Sequence, residues 1–365
     1  MAQARRAAEQ HEILQELDVI DGEIHSAETA PTLMEYLPED VQTDERSGYA
    51  YQPEEKGPFG ADGWDRTAGG RINWDPVAAT DAESYEEKMD EFGVDTTVYS
   101  PGLAFQIYMI PASKKRVHYM RAMNRYTKDR FARGDGTHYG KIVVVPDHPE
   151  ESAEEIRKWG DDDGFVAIFT GSHMEFGFGH ERYEPVFEAA EEVGLPIVMH
   201  GDSTTQEQFP LGGLKSHTFM EHHTVCHPMA HMRNAVQLIG QEIPERYDVK
   251  FGFWEAGQSW FQLVMNRMDR EFIERPNDAP GLSKLPSDYF KEDFFFSTQP
   301  LEEFHNPEHF GQFLEMNGLE DQLLLATDWP HMDFDSTVEI AGHEGLSYEQ
   351  KQKIVQDNPK RFFDL

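Results

Sequence analysis

The stretch "LDVIDGEIHSAE" (17–28) carries an apolar run into Asp21, Glu23 and His25, polar residues at every second position. Side chains alternate along a strand, so these three point to one side of it. Similar endings recur further along: "LPIVMHGD" closes on His200, "KFGFWEAG" on Glu255, and "LLLATDWPH" on Asp328 with His331 just beyond. Carboxylates and imidazoles converging from separate strand ends are the nitrogen and oxygen ligands that suit Zn²⁺ or Mn²⁺. Glu23, His25, His200 and Asp328 are therefore the candidate ligands of one divalent ion. Buried together without an ion, the two carboxylates would repel; a divalent cation offsets that repulsion. Each residue also has a plainer reading. Glu-x-His recurs by chance, His200 can cap its strand through a backbone hydrogen bond, and Asp328 before Trp-Pro can form a turn. Three such strand ends in barrel order favour the metal.

The segment "HTFMEHHTVCHPMAHMRN" adds His217, His222, His223, His227 and His231. His223 and His227, four residues apart, raise a second metal site as an alternative. The favoured reading is a polar loop beside the active site. In it His227, directly before Pro228 at the expected helix start, reaches the substrate. Trp64, Trp74, Tyr99, Phe105, Trp254 and Trp329 could line an aromatic pocket, although packing is the commoner use of such side chains. Ser26, Ser100 and Ser297 lack the G-x-S-x-G setting of a serine hydrolase. "GDGTHYG" and "GSHMEFGFGH" lack phosphate-loop spacing and read as turns.

The elements that must hold these residues alternate between strand and helix. Apolar runs predict eight strands, near 18–25, 96–100, 141–146, 165–170, 195–200, 248–255, 294–298 and 322–328. Most are followed by a helical pattern, among them a helix over Pro228–Ile243, and residues 1–16 read as a leading helix. Continuous apolar strands with intervening helices imply a covered parallel sheet, and eight units at this length predict a (β/α)₈ TIM barrel. The whole chain, 1–365, reads as one domain with a long insertion after the first strand, 30–90, rich in Gly, Pro, Tyr and acidic residues. That insertion is a candidate lid or dimer contact. An open doubly wound sheet would bring a glycine-rich loop after its first strand, where "GEIHSAE" stands instead.

The chain's 365 residues, 38% hydrophobic and 27% charged, can bury a large core. Its formal net charge of −36 disfavours nucleic acid and anionic membranes as partners. Acidity spread so evenly fits adaptation to high salt, where counterions screen self-repulsion. Cys226 is the only cysteine, so no intrachain disulfide forms, and a reducing cytoplasm is expected. "MAQARRAAEQHEILQEL" lacks the apolar core of a secretory signal, and no run approaches the roughly 20 apolar residues of a membrane span.

"IDGEIHSAE…LMEYLP", "GLPIVMHGD", "YDVKFGFWEAGQSWFQLVMNRMD", "LLLATDWPH" and "IVQDNPKRFFDL" together resemble the amidohydrolase-related family. That family includes aminocarboxymuconate semialdehyde decarboxylase and hydroxybenzoate-type decarboxylases. The resemblance runs from about residue 18 to 365 and is thinnest over 30–90. It implies a (β/α)₈ barrel with one divalent metal, Zn²⁺ or Mn²⁺. Glu23 and His25 match the ExH form of the first-strand motif, His200 the fifth-strand histidine and Asp328 the eighth-strand aspartate; His331 falls beside the pocket. A homodimer is expected by the same analogy.

Many members end the sixth strand in His-x-Gly, with an acid/base histidine, where this chain reads Glu255-Ala256-Gly257. Glu255, or His227 from the preceding loop, is the candidate replacement. The expected activity is a non-oxidative decarboxylation of a small aromatic or unsaturated carboxylic acid. Asp328 or His227 would protonate the carbon that loses CO₂, and Glu255 would position or exchange the proton. The alternative is hydrolysis of a lactone, an amide or a C–C bond beside a carbonyl, with Asp328 or Glu255 as general base for a water of lowered pKa. A third reading, a binding barrel without activity, conflicts with the intact strand-end residues.

Overall fold

Val, Ile, Leu and Phe runs buried on both faces form eight strands among the described residues. They are β1 (Ile20–Ile24), β2 (Thr96–Tyr99), β3 (His138–Val143), β4 (Phe165–Gly171), β5 (Ile197–His200), β6 (Phe251–Trp254), β7 (Phe294–Ser297) and β8 (Leu323–Leu324). The computed structural model describes residues 12–26, 30–46, 79–102, 104–110, 113–172, 174–201, 218–331 and 334–365. The strands pair in parallel in sequence order from β1 to β8. The seam between β8 and β1 closes by single bonds and one isolated bridge between Ile24 and Trp329. Across it Gly22 N–H donates to the Leu325 carbonyl at 2.8 Å, Asp328 N–H to Glu23 at 3.1 Å and His25 N–H to Trp329 at 2.7 Å. Gly22 is needed there, because a Cβ would lie 2.8 Å from Leu324 Cδ1 and 2.9 Å from the Leu325 oxygen. The expected (β/α)₈ barrel is the fold observed.

The longer helices are α1 (Ala82–Phe92), α2 (Ser113–Arg130), α3 (Pro149–Trp159), α4 (Glu184–Val193), α5 (Phe219–Gly240), α6 (Trp260–Glu274) and α7 (Glu308–Asn317). None among the described residues is long and apolar enough to cross a membrane. Of the stretch 30–90, residues 47–78 lie outside the described residues, as do Trp64 and Trp74. Its last part, α1, buries Tyr85, Met89 and Phe92 and ends at Gly93, whose φ of 66° terminates the helix ahead of β2. Of the expected leading helix, Ile13–Glu16 is helical and residues 1–11 lie outside the described residues.

Several boundaries differ from the sequence reading, β8 among them, which is confined to Leu323–Leu324. β3 begins at His138, so "GDGTHYG" is a turn only as far as Thr137. α5 begins at Phe219, nine residues before Pro228, which sits inside the helix. The start is fixed by a reciprocal cap: Glu221 N–H donates to Thr218 Oγ1 at 3.2 Å, and Thr218 N–H donates to Glu221 Oε2 at 3.3 Å. Pro228 forfeits one helical hydrogen bond, a loss this 22-residue helix tolerates.

Candidate metal centre

β1, β5 and the segment after β8 bring Glu23, His25, His200 and Asp328 together at the C-terminal mouth of the barrel. All four are fully buried, and one ligating atom from each lies within 4.8 Å of the others. His25 Nε2 is 2.9 Å from Asp328 Oδ1 and 3.9 Å from Glu23 Oε1, while His200 Nε2 is 3.3 Å from Glu23 Oε2. His200 Nδ1 lies 2.6 Å from the Gly201 carbonyl. A carbonyl only accepts, so Nδ1 carries a hydrogen and Nε2 is the ring atom turned to the cluster. Asp328 Oδ2 is buried with no hydrogen-bond partner among the described residues, an acceptor suited to a cation. Two imidazoles and two carboxylates fit Zn²⁺ or Mn²⁺.

Glu255 and Asp328 both have left-handed backbones, φ 60° and 62°. Such conformations are costly for non-glycine residues and gather at functional sites. They turn each carboxylate inward just past its strand. Glu255 Oε2 is 3.3 Å from His200 Nδ1 and 3.7 Å from His227 Nδ1. His227, buried on α5, donates from Nδ1 to the Glu255 carbonyl at 2.9 Å. Gly201 makes that approach possible, since a Cβ there would stand 2.8 Å from the imidazole of His227. His331 is half-buried, stacks on His25 at 4.2 Å and donates from Nδ1 to Asp328 Oδ1 at 2.8 Å.

Residues 20–365 match the family described as amidohydrolase. The chain belongs to that family. Comparison with curated protein sequences finds no match. Solved structures share the fold across nearly the full length. The 5-carboxyvanillate decarboxylase of Novosphingobium aromaticivorans, complexed with manganese and 4-hydroxy-3-methoxy-5-nitrobenzoic acid, is 19% identical with a TM-score of 0.69, covering 96% of this chain and 97% of that one. The 2,6-dihydroxybenzoate decarboxylase of Rhizobium is 16% identical at 0.63, over 95% and 99%. A dihydroxybenzoic acid decarboxylase of Polaromonas, with manganese and 2-nitroresorcinol, is 18% identical at 0.64, over 96% and 97%.

In this amidohydrolase burial would raise both carboxyl groups, but their neighbours outweigh it. His200 and Lys141 hold Glu23 below the usual carboxylate range, and His331 and His25 do the same for Asp328. Burial, helped by nearby His331, pushes His25 down to about 4, so its ring is neutral as a ligand must be. Asp21 stands outside the four-residue cluster. It accepts from Thr327 N–H at 2.9 Å and Thr327 Oγ1 at 2.6 Å, and burial raises it to about 7.

Of the other sequence candidates, His223 is half-buried beside His227, with ring centroids 4.8 Å apart. His223, His227 and Glu255 form a second cluster of close donor atoms. His231 is buried and bonds the Trp254 carbonyl at 2.8 Å, a packing role. His217 lies outside the described residues. Trp254 and Trp329 are fully buried against Phe362 and Tyr85, and Tyr99 stacks on Phe131 at 3.9 Å, so these three are packing. Ser100 and Lys141 were missed as site residues. Ser100 Oγ donates to Glu23 Oε1 at 2.7 Å, and Lys141 Nζ is 3.6 Å from the same oxygen. The available signal was a lysine inside the otherwise apolar strand "GKIVVVP".

Proposed function

We propose that this amidohydrolase is a metal-dependent, non-oxidative decarboxylase of a small aromatic or unsaturated carboxylic acid. The observation that carries the reading is the buried cluster of Glu23, His25, His200 and Asp328 at the barrel mouth. These four would hold one Zn²⁺ or Mn²⁺, which when bound supplies a positive anchor for the substrate carboxylate and a neighbouring oxygen. The decarboxylases sharing this fold, two of them solved with manganese, support the choice.

The chain's own groups handle the proton. Loss of CO₂ leaves its bonding electron pair on carbon, and that carbon takes a proton from His227 Nε2. His227 is the better donor because its Nδ1 is bonded to the Glu255 carbonyl, which fixes the orientation of the ring. Asp328 is the alternative donor, but its Oδ1 already meets both His25 and His331. The Glu255 carboxylate, between His200 and His227, steadies the charged imidazole and exchanges the proton. Hydrolysis is the second reading, favoured by a carboxylate, Glu255, where a general base for water is wanted. Supplying the Mn²⁺-loaded protein with aromatic carboxylates, and separately with lactones and amides, tests the two. CO₂ release is expected, and turnover of the lactones or amides alone would replace decarboxylation by hydrolysis.

We also infer a homodimer, and separately a reducing cytoplasm, to which the single, buried Cys226 is suited. A net charge of −36 supports salt adaptation. Tm is expected to rise with KCl from low to molar concentration, and a flat curve would remove that inference.

A further inference from the structure

We propose that Lys141 and Ser100 are positioning residues that commit one oxygen of Glu23 and thereby present the other, Oε2, to the metal. The proposal rests on reading the four-residue cluster as a metal site. Lys141, on β3, is fully buried and reaches into the barrel below that cluster. Its ammonium donates to the Gly22 carbonyl at 2.8 Å and to Ser100 Oγ, and the Trp254 ring lies 5.7 Å away. An ammonium has donors and no acceptor, so Ser100 must accept from Lys141. The single hydrogen of Ser100 is then left for Glu23 Oε1, 2.7 Å away. Every hydrogen in this chain has one direction. Glu23 Oε1 is held by Ser100 and by the nearby ammonium, while Oε2 faces His200 Nε2 at 3.3 Å.

The charges agree with this arrangement. Three buried carboxylates, Glu23, Glu255 and Asp328, share the barrel mouth. A divalent ion and Lys141 together set three positive charges against these three and Asp21, a fourth buried carboxyl group that accepts from Thr327. A buried lysine is costly unless paired, and its pairing here runs through Ser100 to a proposed ligand.

Competition against a chelator gives the Mn²⁺ Kd of the wild type and of Ser100→Ala. The variant is expected to remain folded and to bind about 10–100-fold more weakly, the usual effect of losing an outer-shell partner. Wild-type affinity in a folded Ser100→Ala protein would overturn the proposal. A second readout needs no metal: Lys141→Met is expected to lower the metal-free Tm, and adding Glu23→Gln to recover much of the loss. Strictly additive changes in that cycle would also overturn it. If the wild type takes up no Mn²⁺, the metal reading fails, and the metal-free cycle still decides whether Lys141 holds Glu23.

Discussion

Replacing Glu255 by Gln is expected to lower kcat about 10²–10⁴-fold, the range supplied by a general acid–base group. Metal content should stay near that of the wild type, because Glu255 is not one of the four proposed ligands, although its carboxylate also lies within 4.8 Å of ligand atoms of Asp328 and His331. The substitution keeps the side chain's size and its contacts with His200 and His227 while removing the exchangeable charge. Its backbone is already committed to φ 60°, so the amide occupies the same place. Kinetics with the Mn²⁺-loaded variant, beside elemental analysis, separate the two effects. A variant with wild-type kcat would pass the proton role to His227 alone.

Removing a proposed ligand should have a different signature. His200→Ala and Asp328→Ala are each expected to weaken metal affinity by more than the ~100-fold seen when only an outer-shell partner is lost. Activity should fall with occupancy. His200 Nε2 is aimed at the cluster by the bond from Nδ1 to Gly201. Asp328 contributes the buried Oδ2 that lacks a hydrogen-bond partner among the described residues. Equilibrium dialysis against Mn²⁺ at matched protein concentration reads both variants. Wild-type retention in either would remove that residue from the ligand set.

The barrel was legible because each strand is a short apolar run followed by a polar residue, and the gathered residues are those strand-end ones. Parallel strands buried on both faces leave little for the sequence to disguise. The limits were local. The run 322–328 reads as one strand, yet only Leu323–Leu324 form the ladder, since the chain beyond bends to close on β1. The start of α5 was hidden by Pro228, although the Thr218–Glu221 cap stood in the sequence as T-x-x-E. Misplacing that start made His227 a loop residue. It is instead a helix residue whose ring Gly201 admits against Glu255. Lys141 and Ser100 escaped because their roles depend on which strands are neighbours. Adjacency of β1, β2 and β3 places them beside Glu23, and no motif encodes that contact.

Diffraction from crystals grown with Mn²⁺, recorded at the manganese absorption edge, tests the metal centre most directly. One anomalous peak is expected, enclosed by Glu23, His25, His200 and Asp328. No peak there, or one seated instead among His223, His227 and Glu255, would contradict the assignment of the metal and the chemistry built on it.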